Sequence, residues 1–179
     1  MAKQLSAAER RYRNLQSNGF GKNFERFVEM GCDYYRQEGL ADISKFPEPF
    51  RVTELMARGR FKGQFIGKAN PDFEGTLKGG KSICFECKYT NNKSIRQAVV
   101  TEKQGEILDA KYKLGGIVGV CCGIGDRHFF VPWSIWANME IHFGKKSASA
   151  EDLKDYEVPF RQGIRFLENI GDYYDTKCN

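Results

Sequence analysis

Asp72, Glu86 and Lys88 are the residues of this chain whose types and spacing can do chemistry together. In the run "SICFECKYT", Ser82 to Thr90, residues two apart share one face of a strand. Glu86 and Lys88 therefore point the same way with Cys84 below them, and Phe85 and Cys87 face the reverse side. Asp72 opens the run Asp72 to Leu77 on the other side of "TLKGGK", where aromatics and alternation around Gly79-Gly80 predict a β-hairpin. Register decides whether Asp72 joins the pair. A two-residue Gly79-Gly80 turn sets it opposite Cys87, on the wrong face; a three-residue Lys78-Gly79-Gly80 loop sets it opposite Glu86. The second register gathers two carboxylates and one ammonium, the set that a hard divalent cation with a water-activating neighbour requires. A surface cross-strand salt pair accounts for Glu86 and Lys88 at little energetic value, but gives Asp72 no role.

Gln104 is the second anomaly. Val100, Ile107, Leu108 and the stem of Lys111 form one stripe of a helix expected over Ile95 to Tyr112, and Gln104 sits in the middle of it. An amide buried without partners costs on the order of 1–3 kcal/mol, so Gln104 needs either a backbone partner in the core or a polar group to hold.

The elements around these residues read in order. Residues 1–18 are polar and arginine-rich and are expected to be a mobile basic arm. From Asn23, the spacing of Phe24, Phe27, Val28, Gly31 and Tyr35 predicts a helix over 23–38 closed by Gly39, followed by a strand from Ala41 to Phe46. After the hairpin and the long helix, "IVGVCCGI" reads as a strand buried on both faces and His128 to Val131 as its antiparallel neighbour. Pro132 starts a short helix through Met139, and Ser149 with Asp152 has capping-box spacing. The expected fold is α/β, a mixed sheet with helices packed against it, and one domain spans 19–179.

Composition bounds the partners. The chain has 179 residues with 28 Lys and Arg against 23 Asp and Glu, a formal net charge of +5, distributed as +5 over 1–68, +3 over 69–146 and −3 over 147–179. Between residues 47 and 70 lies a segment in which Arg58, Arg60, Lys62 and Lys68 alternate with Phe61 and Phe65, and Gly59, Gly63 and Gly67 recur every four residues. Such a segment packs poorly into a core and suits a polyanion, with cations for phosphates and an aromatic for an exposed base. The longest nearly uncharged stretch, Leu114 to Gly125, is too short to span a membrane. No secretory signal follows Met1, and the six cysteines mostly lie in apolar runs, so a cytoplasmic protein with reduced thiols is expected. Cys84 and Cys87 are unsuited to zinc, because on a strand their thiols fall on opposite faces.

Asp72 followed by Glu86-Cys87-Lys88 resembles the D…ExK pattern of the restriction-endonuclease-like nuclease superfamily, including Pro71-Asp72. The segment "GKNFERFVEMGCDYYRQEGLADISKFPEP", then "DFEG", "FECKYT", "EKQGEIL", "GGIVGV" and "HFFVPWSIW", is similar in order and spacing to the RecU family of Holliday junction resolvases. The resemblance covers roughly residues 19–170. It implies a core of order α-β-β-β-α-β-β with the basic segment as a projecting stalk. It also implies a metal-dependent crossover junction endodeoxyribonuclease of bacterial or phage origin, acting as a homodimer on branched DNA with no nucleotide cofactor. Carried over by position, it assigns Glu25, Asp72, Glu86, Lys88 and Gln104 to the active site. Mg²⁺, with Mn²⁺ able to substitute, would be held by Asp72, Glu86 and the Cys87 backbone carbonyl. Arg58, Arg60, Lys62, Lys68, Phe61 and Phe65 would contact DNA. The rival readings are another endonuclease of the superfamily, of mismatch or restriction type, and a non-catalytic junction-binding protein; in the latter, unneutralised carboxylates would repel phosphate.

Overall fold

In the computed structural model, which describes residues 7–47, 50–65, 70–168 and 170 (the backbone alone for 7–20 and 65), a five-stranded mixed sheet carries helices on both faces. Helix α1 (Ala7–Gln37) leads into β1 (Ala41–Lys45), and β2 (Phe50–Leu55) and β3 (Phe61–Phe65) form a separate two-stranded ribbon. The hairpin β4 (Phe73–Leu77) and β5 (Ser82–Thr90) is followed by β6 (Ser94–Arg96), α2 (Glu102–Lys113), β7 (Ile117–Ile124) and β8 (Arg127–Pro132). Short helices α3 (Trp133–Trp136) and α4 (Met139–Phe143) and strand β9 (Ser147–Ser149) complete the described elements. The main sheet runs β1-β4-β5-β7-β8, antiparallel except for β5 and β7, which are parallel and joined by the α2 crossover.

Alternation along β5 divides the interior. Ile83, Phe85 and Cys87 enter a cluster with Phe24, Val28, Cys32 and Tyr35 of α1, closed by Phe166. Cys84 enters the opposite cluster with Leu108 of α2 and both Trp133 and Trp136 of α3. β7 is buried along its whole length, as its apolar run predicts for a central strand. The α-β-β-β-α-β-β core order expected from the sequence is therefore present. Five of the cysteines are free and buried, with Cys84 and Cys87 in different clusters; Cys178 lies outside the described residues.

The hairpin has the three-residue register. Phe73 pairs with Phe85 and Thr76 with Ser82, and the Leu77 N–H donates to the Lys81 carbonyl at 2.8 Å, leaving Lys78-Gly79-Gly80 as the loop. Gly79 and Gly80 have φ of +95° and +90°, a region that side-chain-bearing residues avoid. The pairing continued by one residue sets Asp72 beside Glu86.

Four expectations change. α1 starts at Ala7, so 7–18, read as an arm, is helical in its described part; Ala7, Ala8, Glu9 and Arg10 are strong helix formers that outweigh the glycines at 19 and 21. Its end is as expected: Gly39 has φ +63° and the Leu40 N–H returns to the Tyr35 carbonyl. The helix read over 95–112 is shorter, because Ile95 belongs to β6, paired with β9, and α2 begins only after Thr101. The helix from Pro132 breaks into α3 and α4 at Ala137-Asn138. The Ser149–Asp152 box forms, with hydrogen bonds of 2.7, 2.8 and 3.2 Å, but is followed by turns and a 3₁₀ turn at Lys154–Tyr156 instead of an α-helix.

Gly75 is where β1 and β4 come closest. A Cβ there would lie 2.1 Å from the Asp42 carbonyl oxygen and 2.6 Å from Ile43 Cα. Gly75→Ala should therefore push β1 away and cost about 1–3 kcal/mol, read as a melting temperature lowered by several degrees. A melt superimposable on wild type would mean that the strands are not held this tightly.

Candidate active site

β5 carries its acid inward. Glu86 is fully buried, and in place of water it has two partners on one oxygen: Lys88 Nζ at 2.8 Å and Gln104 Nε2 at 2.6 Å, both to Oε2. Oε1 is equally buried and has no partner. Desolvation by burial pushes the Glu86 carboxyl up to about 7; Lys88 opposes the rise and the nearby Asp72 carboxylate adds to it.

Asp72 precedes β4 and completes the strand pairing with its side chain. Its Oδ2 accepts the Cys87 N–H at 2.8 Å and lies 3.9 Å from Lys88 Nζ. In a strand the N–H and C=O of one residue point to the same side. The Cys87 carbonyl is thus directed to the side of β5 on which the Asp72 carboxylate sits.

Gln104 resolves the anomaly read from the sequence by serving two purposes with its two ends. Thr101 caps α2: its hydroxyl accepts the Gln104 N–H at 3.4 Å, and Gln104 Oε1 accepts the Thr101 N–H at 3.0 Å, a capping box. The amide nitrogen is left free to donate to Glu86. Glu at this position could close the same box but would aim a second anion at Glu86, so the site requires the amide. Seven residues on, Lys111 bonds to Glu74 of β4, so α2 is tied to the hairpin near both of its ends.

Glu25 does not touch this cluster. Its carboxylate accepts from Lys45 Nζ at 2.6 Å, and Lys45 in turn lies within electrostatic reach of Asp72. Lys45 was not singled out from the sequence. Only the β1–β4 pairing, which sets Lys45 opposite Phe73, next to Asp72, shows what it approaches. In the ribbon, Phe61 packs edge-on against Phe50 at 5.5 Å, Lys62 pairs with Glu54 at 2.9 Å, and Arg58 and Arg60 are exposed; Lys68 and the Phe65 side chain lie outside the described residues.

Among the described residues, no three His, Cys, Asp or Glu side chains gather closely enough to hold a metal ion. The donors available for a cation are the Asp72 and Glu86 carboxylates and the Cys87 carbonyl, with water for the remaining positions. The unpartnered Oε1 fits this set, because a buried carboxylate oxygen without a donor is rare unless a cation or a proton completes it.

Glu86 also makes stability depend on pH. An unfolded Glu titrates near 4.5, against about 7 in the fold, so the native state holds an extra proton between these values. The stability this proton supplies is complete below about pH 4.5 and is lost as pH rises to about 7. Glu86→Gln, uncharged throughout, should be more stable than wild type at pH 8 in EDTA by on the order of 1–3 kcal/mol, and the gap should shrink below pH 4.5. Denaturant melts at the two pH values check this; a gap that does not change with pH removes burial of the charge as its cause.

The family model of RecU, described as recombination protein U, matches residues 20–171. A protein of Staphylococcus saprophyticus named Holliday junction resolvase RecU is 27% identical over 160 residues, covering 82% of this chain and 76% of its own length. Its counterpart of the same name from Staphylococcus epidermidis is 26% identical over 83% of this chain and 77% of its length. The structure of Hjc from Archaeoglobus fulgidus, titled a Holliday junction resolvase from an archaeal hyperthermophile, aligns at a TM-score of 0.44 with 13% identity, over 75% of this chain and 87% of that one. With its family model matched from the middle of α1 to beyond the last described residue, the chain belongs to the RecU family.

Proposed function

We propose that this chain is an endodeoxyribonuclease that resolves four-way DNA junctions by paired, metal-dependent nicks; its relatives are named Holliday junction resolvases. The observation that carries the chemistry is the buried Glu86 carboxylate with one unpartnered oxygen, beside a second carboxylate and an ammonium. A structural salt pair accounts for Oε2 but not for a buried Oε1 that no donor meets. Asp72, Glu86 and the Cys87 carbonyl would hold Mg²⁺, which retains several waters and uses one or two carboxylates, and Mn²⁺ takes the same oxygen donors. The cation supplies polarisation of the scissile phosphate and a more acidic bound water.

The residues of the chain do the rest. Lys88, between the two carboxylates, orients the attacking water and offsets charge as it develops on the phosphate. Gln104 holds Glu86 in one rotamer from the capped start of α2, so the carboxylate needs no reorganisation. Asp72 is fixed by the Cys87 N–H, and Lys45 with Glu25 borders the site from β1 and α1. Two symmetric nicks in one junction call for two related sites, hence a homodimer.

Asp72→Asn and Glu86→Gln should each abolish Mg²⁺-dependent cleavage of a synthetic four-way junction while junction binding persists or tightens, because a negative charge near phosphate is removed. Lys88→Ala should lower the cleavage rate much more than affinity. Full cleavage in EDTA by wild type ends the metal reading. Binding without cleavage under any divalent cation leaves a non-catalytic junction binder, and equal cleavage of linear duplex leaves a general endonuclease.

The ribbon is the part that suits junction binding. Arg58 sits at its tip with φ +61°, a conformation that costs a non-glycine residue about 1 kcal/mol or more, and Gly59 follows with φ +71°. An exposed arginine held this way is presented to solvent, not to a core. Removing the charge of Arg58 or Arg60 should weaken junction binding and flatten the log–log salt dependence by roughly one unit per contact. Lys62→Ala should do so less, since its pairing with Glu54 must open first. Phe61→Ala should erode the preference for junction over duplex. Salt titrations of binding, unchanged in the Arg58 and Arg60 variants, would place the DNA elsewhere.

A further inference from the structure

On the face of the sheet opposite Gln104, five rings follow one another. Tyr89 and Phe24 lie 5.8 Å apart, Phe24 and His128 are stacked at 6.0 Å and 18°, His128 and Phe160 lie 5.8 Å apart, and Phe160 meets Phe27 edge-on at 5.1 Å. The row is set by register, because Tyr89, Gly123 and His128 are neighbours across β5, β7 and β8. Gly123 is needed there: a Cβ would come within 2.6 Å of the Tyr89 ring and 2.9 Å of the Phe24 ring. The inner rings are buried or half-buried, whereas Phe160 is 46% and Phe27 36% exposed. A cleft of about 400 Å³, within the ~300–1,000 Å³ range of small-ligand sites, opens beside them between His128, Pro159, Phe160 and the Arg127–Glu157 ion pair.

Packing alone does not call for an exposed end to such a row. Phe24 directly precedes Glu25 and Tyr89 directly follows Lys88, so the row begins on the reverse face of the strand that carries the proposed active site. Lys22 and Arg26 are exposed on the same helix as Phe27 and suit the phosphates of a strand whose base is turned toward the rings.

We infer that the cleft at His128 and Phe160, with Phe27 at its rim, is a binding site for an unpaired nucleobase of the DNA substrate, separate from the ribbon. The inference rests on the junction-resolvase reading and adds to it a second place where an exposed base is stacked. A base there would hold one strand of the substrate against the α1 face of the sheet, and a fully paired linear duplex could not fill the site.

The test uses a four-way junction with 2-aminopurine at the crossover, titrated with the full-length protein in EDTA so that the metal-dependent step is off. Wild type should quench the fluorescence by stacking. Phe160→Ala should lose most of that quenching and bind the junction at least about fivefold more weakly, with duplex binding unchanged. Phe160→Leu, which keeps an apolar side chain at this rim, should behave like Phe160→Ala in quenching even if its melting temperature matches wild type. Quenching unaltered in both variants overturns the inference. So does a fall in sedimentation mass with Phe160→Asp, which would make this face a contact between two copies of the chain. Failure of wild type to bind the junction at all would instead remove the resolvase reading on which the site depends, whereas wild type that binds and cleaves with unaltered quenching in the variants removes this site alone.

Discussion

The burial of Glu86 is the constraint to which its surroundings answer. A carboxylate taken out of water costs several kcal/mol unless charges or donors replace the solvent. Lys88 and Gln104 replace it on one oxygen only. Burial pushes the group's titration up to about 7, and the remaining oxygen is open to a cation. Each neighbour has its own reason to be in place: Lys88 through the two-residue period of β5, Gln104 through the cap of α2, Asp72 through the hairpin register.

That register is where a local choice has the longest reach. Had Gly79-Gly80 formed a two-residue turn, Asp72 would face the α1 cluster and the polar side of β5 would hold a single acid. The three-residue loop avoids this, and Gly75 permits β1 to close against β4 so that Lys45 arrives beside Asp72. The same sheet then separates two environments. On the α2 side the hairpin presents ionisable groups, and on the α1 side the same strands present Phe85, Cys87 and the aromatic row from Tyr89 to Phe160.

Much of this was legible in the sequence because it rests on periods. The alternation of "SICFECKYT" gave the shared face of Glu86 and Lys88, and the unbroken apolar run Ile117 to Ile124 gave the central strand. Register could be narrowed to two options but not chosen, since loop length is a tertiary outcome. Gln104 was recognisable as out of place, yet its partner was not, because Thr101 as cap could be identified only once the helix start was known. The apolar stripe that includes Val100 was extended upstream to Ile95, although pairing with Ala148 makes Ile95 a strand residue and the helix starts only after Thr101. Lys45 escaped notice for a different reason: a lysine ending a strand is ordinary, and only the neighbouring strand shows what it approaches.

A basic protein that binds DNA through an acidic site must keep its carboxylates from repelling phosphate. Two unit charges 4 Å apart interact by about 4 kcal/mol at an effective dielectric constant of 20, so three bare acids would oppose any strand brought to them. Here Glu25 is met by Lys45 and Glu86 by Lys88, with Asp72 within 3.9 Å of the same Lys88 ammonium. Two ammoniums thus offset two of the three carboxylates, and the acid left over is the one a cation would meet. The excess positive charge lies elsewhere in the first two thirds of the chain, on Arg58 and Arg60 of the ribbon and Lys22 and Arg26 of α1. In the proposed reaction those exposed cations hold phosphates of any sequence, and the compensated carboxylates act on the one phosphate that reaches them. The separation also explains why the lysines of the site are short-range partners, while the arginines of the ribbon stand free of the core: the first must match fixed oxygens, and the second need only follow a backbone.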